Sequence, residues 1–182
     1  ASLYNITELK QIVKKRKSYL LFCFGTSLVS QIIAAKTRKN SSEVVPTHVA
    51  LIIEGCYLYE STSQPAHLKD KTIPAGVRRY MIDDFYKIEA QHNTMYDLLP
   101  IESINYDELE YNVHKPYGKD TIVDFVLRDG SDGVSKGLVC SQYANKVAEL
   151  LTKSCPNPAE LYRKVEKITS RSEERRVGKE CR

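Results

Sequence analysis

Residues 48–61, HVALIIEGCYLYES, constrain the fold more than any other stretch of this chain. Two apolar runs flank Glu54-Gly55, the signature of an antiparallel β-hairpin, because a tight turn needs the positive φ that glycine supplies without strain. What surrounds the hairpin reads as a mixture of helices and single strands. NITELKQIV carries Asn5 as an N-cap with Glu8 three residues on, and Ile6, Leu9, Ile12 and Val13 as its apolar face. The cations of KKRK at 14–17 suit the end of that helix. SYLLFCF (18–24) is a short apolar run that suits a buried strand, and SLVSQIIAAKTR (27–38) reads as a helix. VRRYMI and TMYDLLPI read as strands, and DDFYKIEAQ and ESINYDELEYNVH as helices. NPAELYRKVEKI closes with Asn157 as N-cap, Pro158 at the first helical position and Glu160 completing the box. A hairpin among helices, rather than strand–helix–strand repeats, makes the expected class α+β, a central antiparallel sheet with packed helices.

Residues 1–170 are read as a single domain with one core. The last twelve residues, RSEERRVGKECR, match the translation of a common short-read sequencing adapter, so 171–182 is expected to lie outside the fold. Setting that tail aside lowers the net charge from +4 to +2 and removes the argument for a nucleic-acid partner. No apolar run is long enough for a transmembrane helix. Contact with a membrane surface stays open through the KKRK run. No secretory signal is visible, so reduced thiols and a cytoplasmic or virion-associated setting are expected. Cys23, Cys56, Cys140 and Cys155 form no CxxC pair and no zinc-finger spacing.

Two residues stand apart from this plain architecture. His48 opens an otherwise apolar strand, where a polar ring needs a reason; His67 and His92 lie in polar stretches, and His114 precedes the KPYGKD turn. A three-residue loop, Ile53-Glu54-Gly55, pairs Ile52 with Cys56 and sets His48 directly opposite Glu60 on one face. A two-residue Glu54-Gly55 turn puts the two on opposite faces. The alternation of YLYES does not decide between them.

Cys140 opens the helical stretch LVCSQYANKVAELL (138–151), directly after the loop DGSDGVSKG. Cysteine is among the most buried residue types, so a packed core thiol is the plain explanation. The other explanation is chemical. A helix N-terminus supplies unpaired N–H groups and the positive end of a dipole, and a nearby imidazole favours the thiolate. Cys155 sits at a helix end of the wrong polarity, Cys23 in a buried strand and Cys56 in the turn region.

Taken in order, THVALII, LYEST, KPYGKD and LVCSQYANKV resemble the circularly permuted NlpC-type papain-like family, the YiiX-like cysteine amidases and related viral proteins. Ordinary papain-like enzymes place the Cys before the His; the permuted branch places the His strand first and the Cys helix late. The resemblance runs from about Tyr19 to about Leu161. It implies Cys140 as nucleophile, His48 as general base, Glu60 as the group that orients His48, and Tyr117 of KPYGKD beside the substrate. The chain departs from the family pattern at Lys17-Ser18, where a Gly-Asp pair often opens the domain, and at Ser141-Gln142, where Ser-Glu is common.

The expected function is a cysteine amidase or peptidase, acting on cell-wall peptides or on acyl or lipid substrates, with no cofactor. A module that keeps the fold for binding or virion association without turnover is the main alternative. A zinc site of His48, Glu60 and Cys140 is a further one, since all three are competent ligands.

Overall fold

The computed structural model describes residues 3–118, 139–149 and 157–167. Its centre is a five-stranded sheet in the order β6-β3-β2-β1-β7. The strands are β1 (Ser18–Phe24), β2 (His48–Ile53), β3 (Tyr57–Thr62), β6 (Gly76–Met81) and β7 (Met95–Ile101), and every neighbouring pair is antiparallel. A separate two-stranded ribbon, β4 (Ala66–His67) with β5 (Thr72–Ile73), lies within the polar, proline-containing stretch between β3 and β6. The class is α+β.

The unbroken apolar run of β1 follows from its position. All seven of its residues are buried, because helices cover both faces of the sheet. Tyr19, Leu21 and Cys23 pack with Leu9 of α1 (Ile6–Ile12) and Phe85 of α3 (Ile82–Glu89). Leu20, Phe22 and Phe24 pack on the other face with Leu109 of α4 (Tyr106–Tyr111) and with Tyr143 and Val147 of α5 (Cys140–Ala148). Leu161 and Tyr162, from the helix over 158–167 (α6), complete that layer. Asn157 accepts from the Glu160 N–H at 2.9 Å, the N-cap expected there.

Asn5 and Glu8 form the expected capping box at the start of α1. The helix ends at Ile12, however, so KKRK does not occupy its last turn. Lys14–Lys17 instead run along the hairpin turn. The Arg16 N–H bonds the Glu54 carbonyl at 2.8 Å, with Arg16 itself at φ 64°. The remaining helix, α2 (Leu28–Thr37), is capped by Ser27 but buries only Thr37. The face shared by Leu28 and Ile32 points outward, with Leu28 73 % exposed. Arg163 of α6 ties down the C-terminal end of α2 through the Thr37 carbonyl and the Glu43 carboxylate.

The hairpin settles the register that the sequence left open. Ile53 pairs with Tyr57, Ile52 with Leu58 and Leu51 with Tyr59, so the three-residue loop is Glu54-Gly55-Cys56 rather than Ile53-Glu54-Gly55. The slide is two residues, which preserves side-chain parity. His48 and Glu60 therefore share a face, but as diagonal rather than directly opposed neighbours. Both Glu54 and Gly55 adopt positive φ, 55° and 67°. A Cβ on Gly55 would lie 2.3 Å from the Lys14 carbonyl oxygen, so this turn accepts glycine for steric as well as conformational reasons.

The TIVDFVLR stretch, the DGSDGVSKG loop, Cys155 and the 171–182 tail fall outside the described residues. Among the described residues no helix is long and apolar enough to cross a membrane.

Candidate active site

His48 is the first residue of β2, and by alternation it belongs with Ala50 and Ile52. Its Nε2 lies 2.7 Å from Oε1 of Glu60. Diagonal strand neighbours stand about 7–8 Å apart at the backbone, a gap these two long side chains close. The Cys140 thiol lies close enough to the ring to favour its protonated form. Nε2 is committed to Glu60, so Nδ1 is the nitrogen not engaged by the carboxylate. One imidazole thus meets a carboxylate on one side and a thiol on the other. Because His48 opens its strand, the ring stands at the end of the sheet and reaches the helix that covers the opposite face.

The electrostatics follow from burial and pairing. Burial disfavours the charged form of His48, but the hydrogen bonds and charges of Cys140 and Glu60 outweigh it and push the imidazole up to about 10. Burial would likewise raise the Glu60 carboxyl; His48, the Arg78 charge and the Tyr80 hydroxyl hold it at about 2. A quarter of the His48 side chain is open to solvent, whereas Glu60 is 5 % exposed.

Glu60 is held from behind by two residues that sequence reasoning missed. β3 and β6 pair Glu60 with Arg78, and Tyr80 pairs with Leu58 on the same face. Arg78 donates to Glu60 Oε2 from Nε at 3.2 Å and from Nη2 at 3.1 Å, and the Tyr80 hydroxyl donates to the same oxygen. Two adjacent arginines in an otherwise apolar strand, VRRYMI, were the available signal: strand alternation puts one of them inside, where it requires a counter-charge.

Cys140 is the first residue of α5, after Val139 at the N-cap. Cys140, Tyr143, Ala144, Val147 and Ala148 recur at helical spacing and are all buried, which fixes the helix on the sheet. The Tyr143 hydroxyl donates to the Leu109 carbonyl at 2.7 Å, and the Asn105 N–H bonds the Val147 carbonyl at 2.8 Å, so α4 anchors the helix laterally. Gln142, the departure from the family's Ser-Glu, braces the start of the helix, where its Oε1 accepts from the Val139 N–H at 3.1 Å. Cys140 therefore stands at the positive end of a nine-residue helix beside an imidazole.

Tyr117 also reaches this neighbourhood. Burial, and then the Cys140 charge, push its hydroxyl above the ordinary tyrosine range, so it remains a donor. Its segment is clamped to β6: the Val77 N–H bonds the Lys115 carbonyl and the His114 N–H bonds the Val77 carbonyl, both at 2.8 Å. Gly76, at φ 107°, allows the approach, since a Cβ there would meet the Lys115 oxygen at 2.7 Å.

Of the other candidates, Cys23, His67 and His92 line the cleft onto which His48 and Glu60 open, whereas His114 and Cys56 do not. His114 is exposed, His67 contacts Thr72 at 3.2 Å and His92 contacts Glu89 at 3.0 Å. Cys23, opposite His48 in the β1–β2 ladder, is buried, and burial pushes its thiol up. Cys56 lies in the hairpin turn. No group of three or more His, Cys, Asp or Glu among the described residues is arranged to hold a metal ion.

A cleft of about 710 Å³ opens on His48 and Glu60. Its walls mix polar groups, Thr26, Thr62, Gln64 and Asn93 among them, with apolar ones such as Ala66 and Ile88, and α2 contributes its N-terminal end. Cys140 lies behind the imidazole rather than on the cleft wall, and is 5 % exposed. Compared with protein-family models, curated proteins and solved structures, the chain matches none of them.

Proposed function

We propose that this chain is a cysteine hydrolase of the permuted papain-like type, acting on an amide or ester carbonyl through an acyl-enzyme. The observation that carries the reading is the placement of His48 against Glu60, at 2.7 Å, with Cys140 at a helix N-terminus close enough to favour the protonated ring. A nucleophile, a base in reach of it and a third group orienting the base are the parts such chemistry needs. The chain order, His strand before Cys helix around an antiparallel sheet, supports the permuted arrangement.

In this reaction His48 holds the proton from Cys140, and the thiolate sulfur attacks the carbonyl carbon. The carbonyl π pair moves to oxygen. The helix-start N–H groups and the Tyr117 hydroxyl supply donors for that oxyanion. Collapse of the intermediate breaks the bond to the leaving amine or alcohol, which takes the proton from His48. Water, deprotonated by His48, then cleaves the thioester and regenerates the thiol. Glu60 stays ionised throughout and stabilises the imidazolium. The substrate classes this fits are peptides, other amides and acyl esters; no cofactor enters any step.

Alkylation of Cys140 by iodoacetamide, followed by peptide mass spectrometry across pH, tests the pair. The expected result is rapid labelling that persists well below about pH 8.5, the ordinary thiol range, and is lost in His48→Ala. Labelling that is slow and indifferent to His48→Ala sinks the proposal. The 5 % exposure of Cys140 favours a second reading, a binding module with the same fold. Under that reading Cys140→Ser leaves function intact.

A further inference from the structure

We propose that Arg78 and Tyr80 are positioning residues for this reaction: together they hold one oxygen of Glu60 so that the other fixes the His48 ring toward Cys140. The inference rests on the Cys140–His48 reading.

The geometry separates this role from an ordinary ion pair. Arginine and carboxylate commonly meet fork to fork, each carboxylate oxygen taking one N–H. Here Nε and Nη2 of Arg78 and the hydroxyl of Tyr80 all converge on Oε2. Oε1 is left to His48 Nε2. That division aims the carboxylate and sets which ring nitrogen carries the proton toward it. Arg78 cannot swing away, because Nη1 is occupied by the carbonyls of Gln64 at 3.0 Å, Pro74 at 3.2 Å and Ile73 at 3.4 Å. Its guanidinium also lies over the Tyr80 ring, 5.3 Å from the centroid. Gln64 lines the cleft, so Arg78 joins the cleft wall to the carboxylate behind the base.

Charge order gives the arrangement its chemical use. Arg78, Glu60, His48 and Cys140 form a file of alternating sign when the thiolate is present. A carboxyl group 5 % exposed favours its neutral form unless cations and donors surround it. A neutral Glu60 would lose its hold on imidazolium. The groups around it are His48 from β2, Arg78 and Tyr80 from β6 and Cys23 from β1, with Glu89 of α3 beyond Tyr80 and Cys140 beyond His48. Of these only Arg78 and Tyr80 act on Oε2 directly.

The test is the pH profile of Cys140 alkylation by iodoacetamide in wild type, Arg78→Met, Arg78→Lys and Tyr80→Phe, each checked for folding by circular dichroism. Removing the cation is expected to move the acid limb upward by about one to three pH units. Tyr80→Phe moves it the same way by less. Arg78→Lys falls between wild type and Arg78→Met, because the charge returns without the fork. All profiles converge near about pH 8, where every carboxylate is ionised. Should Arg78→Met not fold, Tyr80→Phe and Arg78→Lys decide. Folded variants whose acid limbs superimpose on a His48-dependent wild type overturn this inference alone. A wild type indifferent to His48→Ala overturns the parent reading and this one with it.

Discussion

Glu60 carries more of this molecule's chemistry than its small exposed surface suggests. The cation Arg78 and the hydroxyl of Tyr80 hold it from one side and the His48 ring from the other, across three neighbouring strands. Glu60→Gln keeps the shape and removes the charge. Arg78 would then be a buried cation without its counter-ion, an arrangement that costs about 3–5 kcal/mol. A urea titration should show that loss as a lowered midpoint at unchanged slope. The same substitution should slow Cys140 labelling at about pH 6, because His48 would lose the carboxylate that keeps it protonated. A midpoint equal to wild type would mean that the Glu60–Arg78 contact contributes nothing.

At the level of elements, the β2–β3 turn is the narrowest constraint. Gly55 at φ 67° faces the Lys14 carbonyl with no room for a Cβ. Gly55→Ala should cost more than about 1 kcal/mol, the left-handed penalty alone, with the clash added to it; thermal unfolding checks this. Most elements were legible in the sequence, because β1, β2 and α5 are long or apolar enough for their periods to show. The hairpin register was not, since parity depends on whether a loop is odd or even and several odd loops satisfy the same pattern. Sequence singled out His48 for its polar ring in an apolar strand, Glu60 only as its partner across the hairpin, and Cys140 only together with His48 and the order of the motifs. Arg78 and Tyr80 stayed hidden because strand pairing across β3 and β6, separated by a long polar stretch, has no local signature. KKRK misled for a related reason: cations near a helix end look alike whether they lie inside the last turn or beyond it.

For the whole molecule, the His48–Glu60 contact ties stability to pH. His48 stays protonated to higher pH folded than unfolded, so its contribution is complete below about 6.5 and is lost as pH rises through about 10. Glu60 stays ionised to lower pH folded than unfolded, so its contribution is complete above about 4.5 and is lost as pH falls through about 2. Denaturant midpoints should therefore form a plateau between those inner values and decline on either side. In His48→Ala the alkaline decline should shrink; a decline of wild-type size would assign it to other groups.

The order of the chain has a consequence for its birth on the ribosome. All five strands of the main sheet, with His48, Glu60, Arg78 and Tyr80, lie before residue 102, and Cys140 comes after them. Translation at about 5–20 residues per second delivers His48 and its supports seconds before Cys140. The sheet can assemble with its imidazole paired to Glu60 but not yet met by the thiol. Under the proposed reaction, reactivity arrives in one late docking step, when α5 closes onto a sheet already waiting.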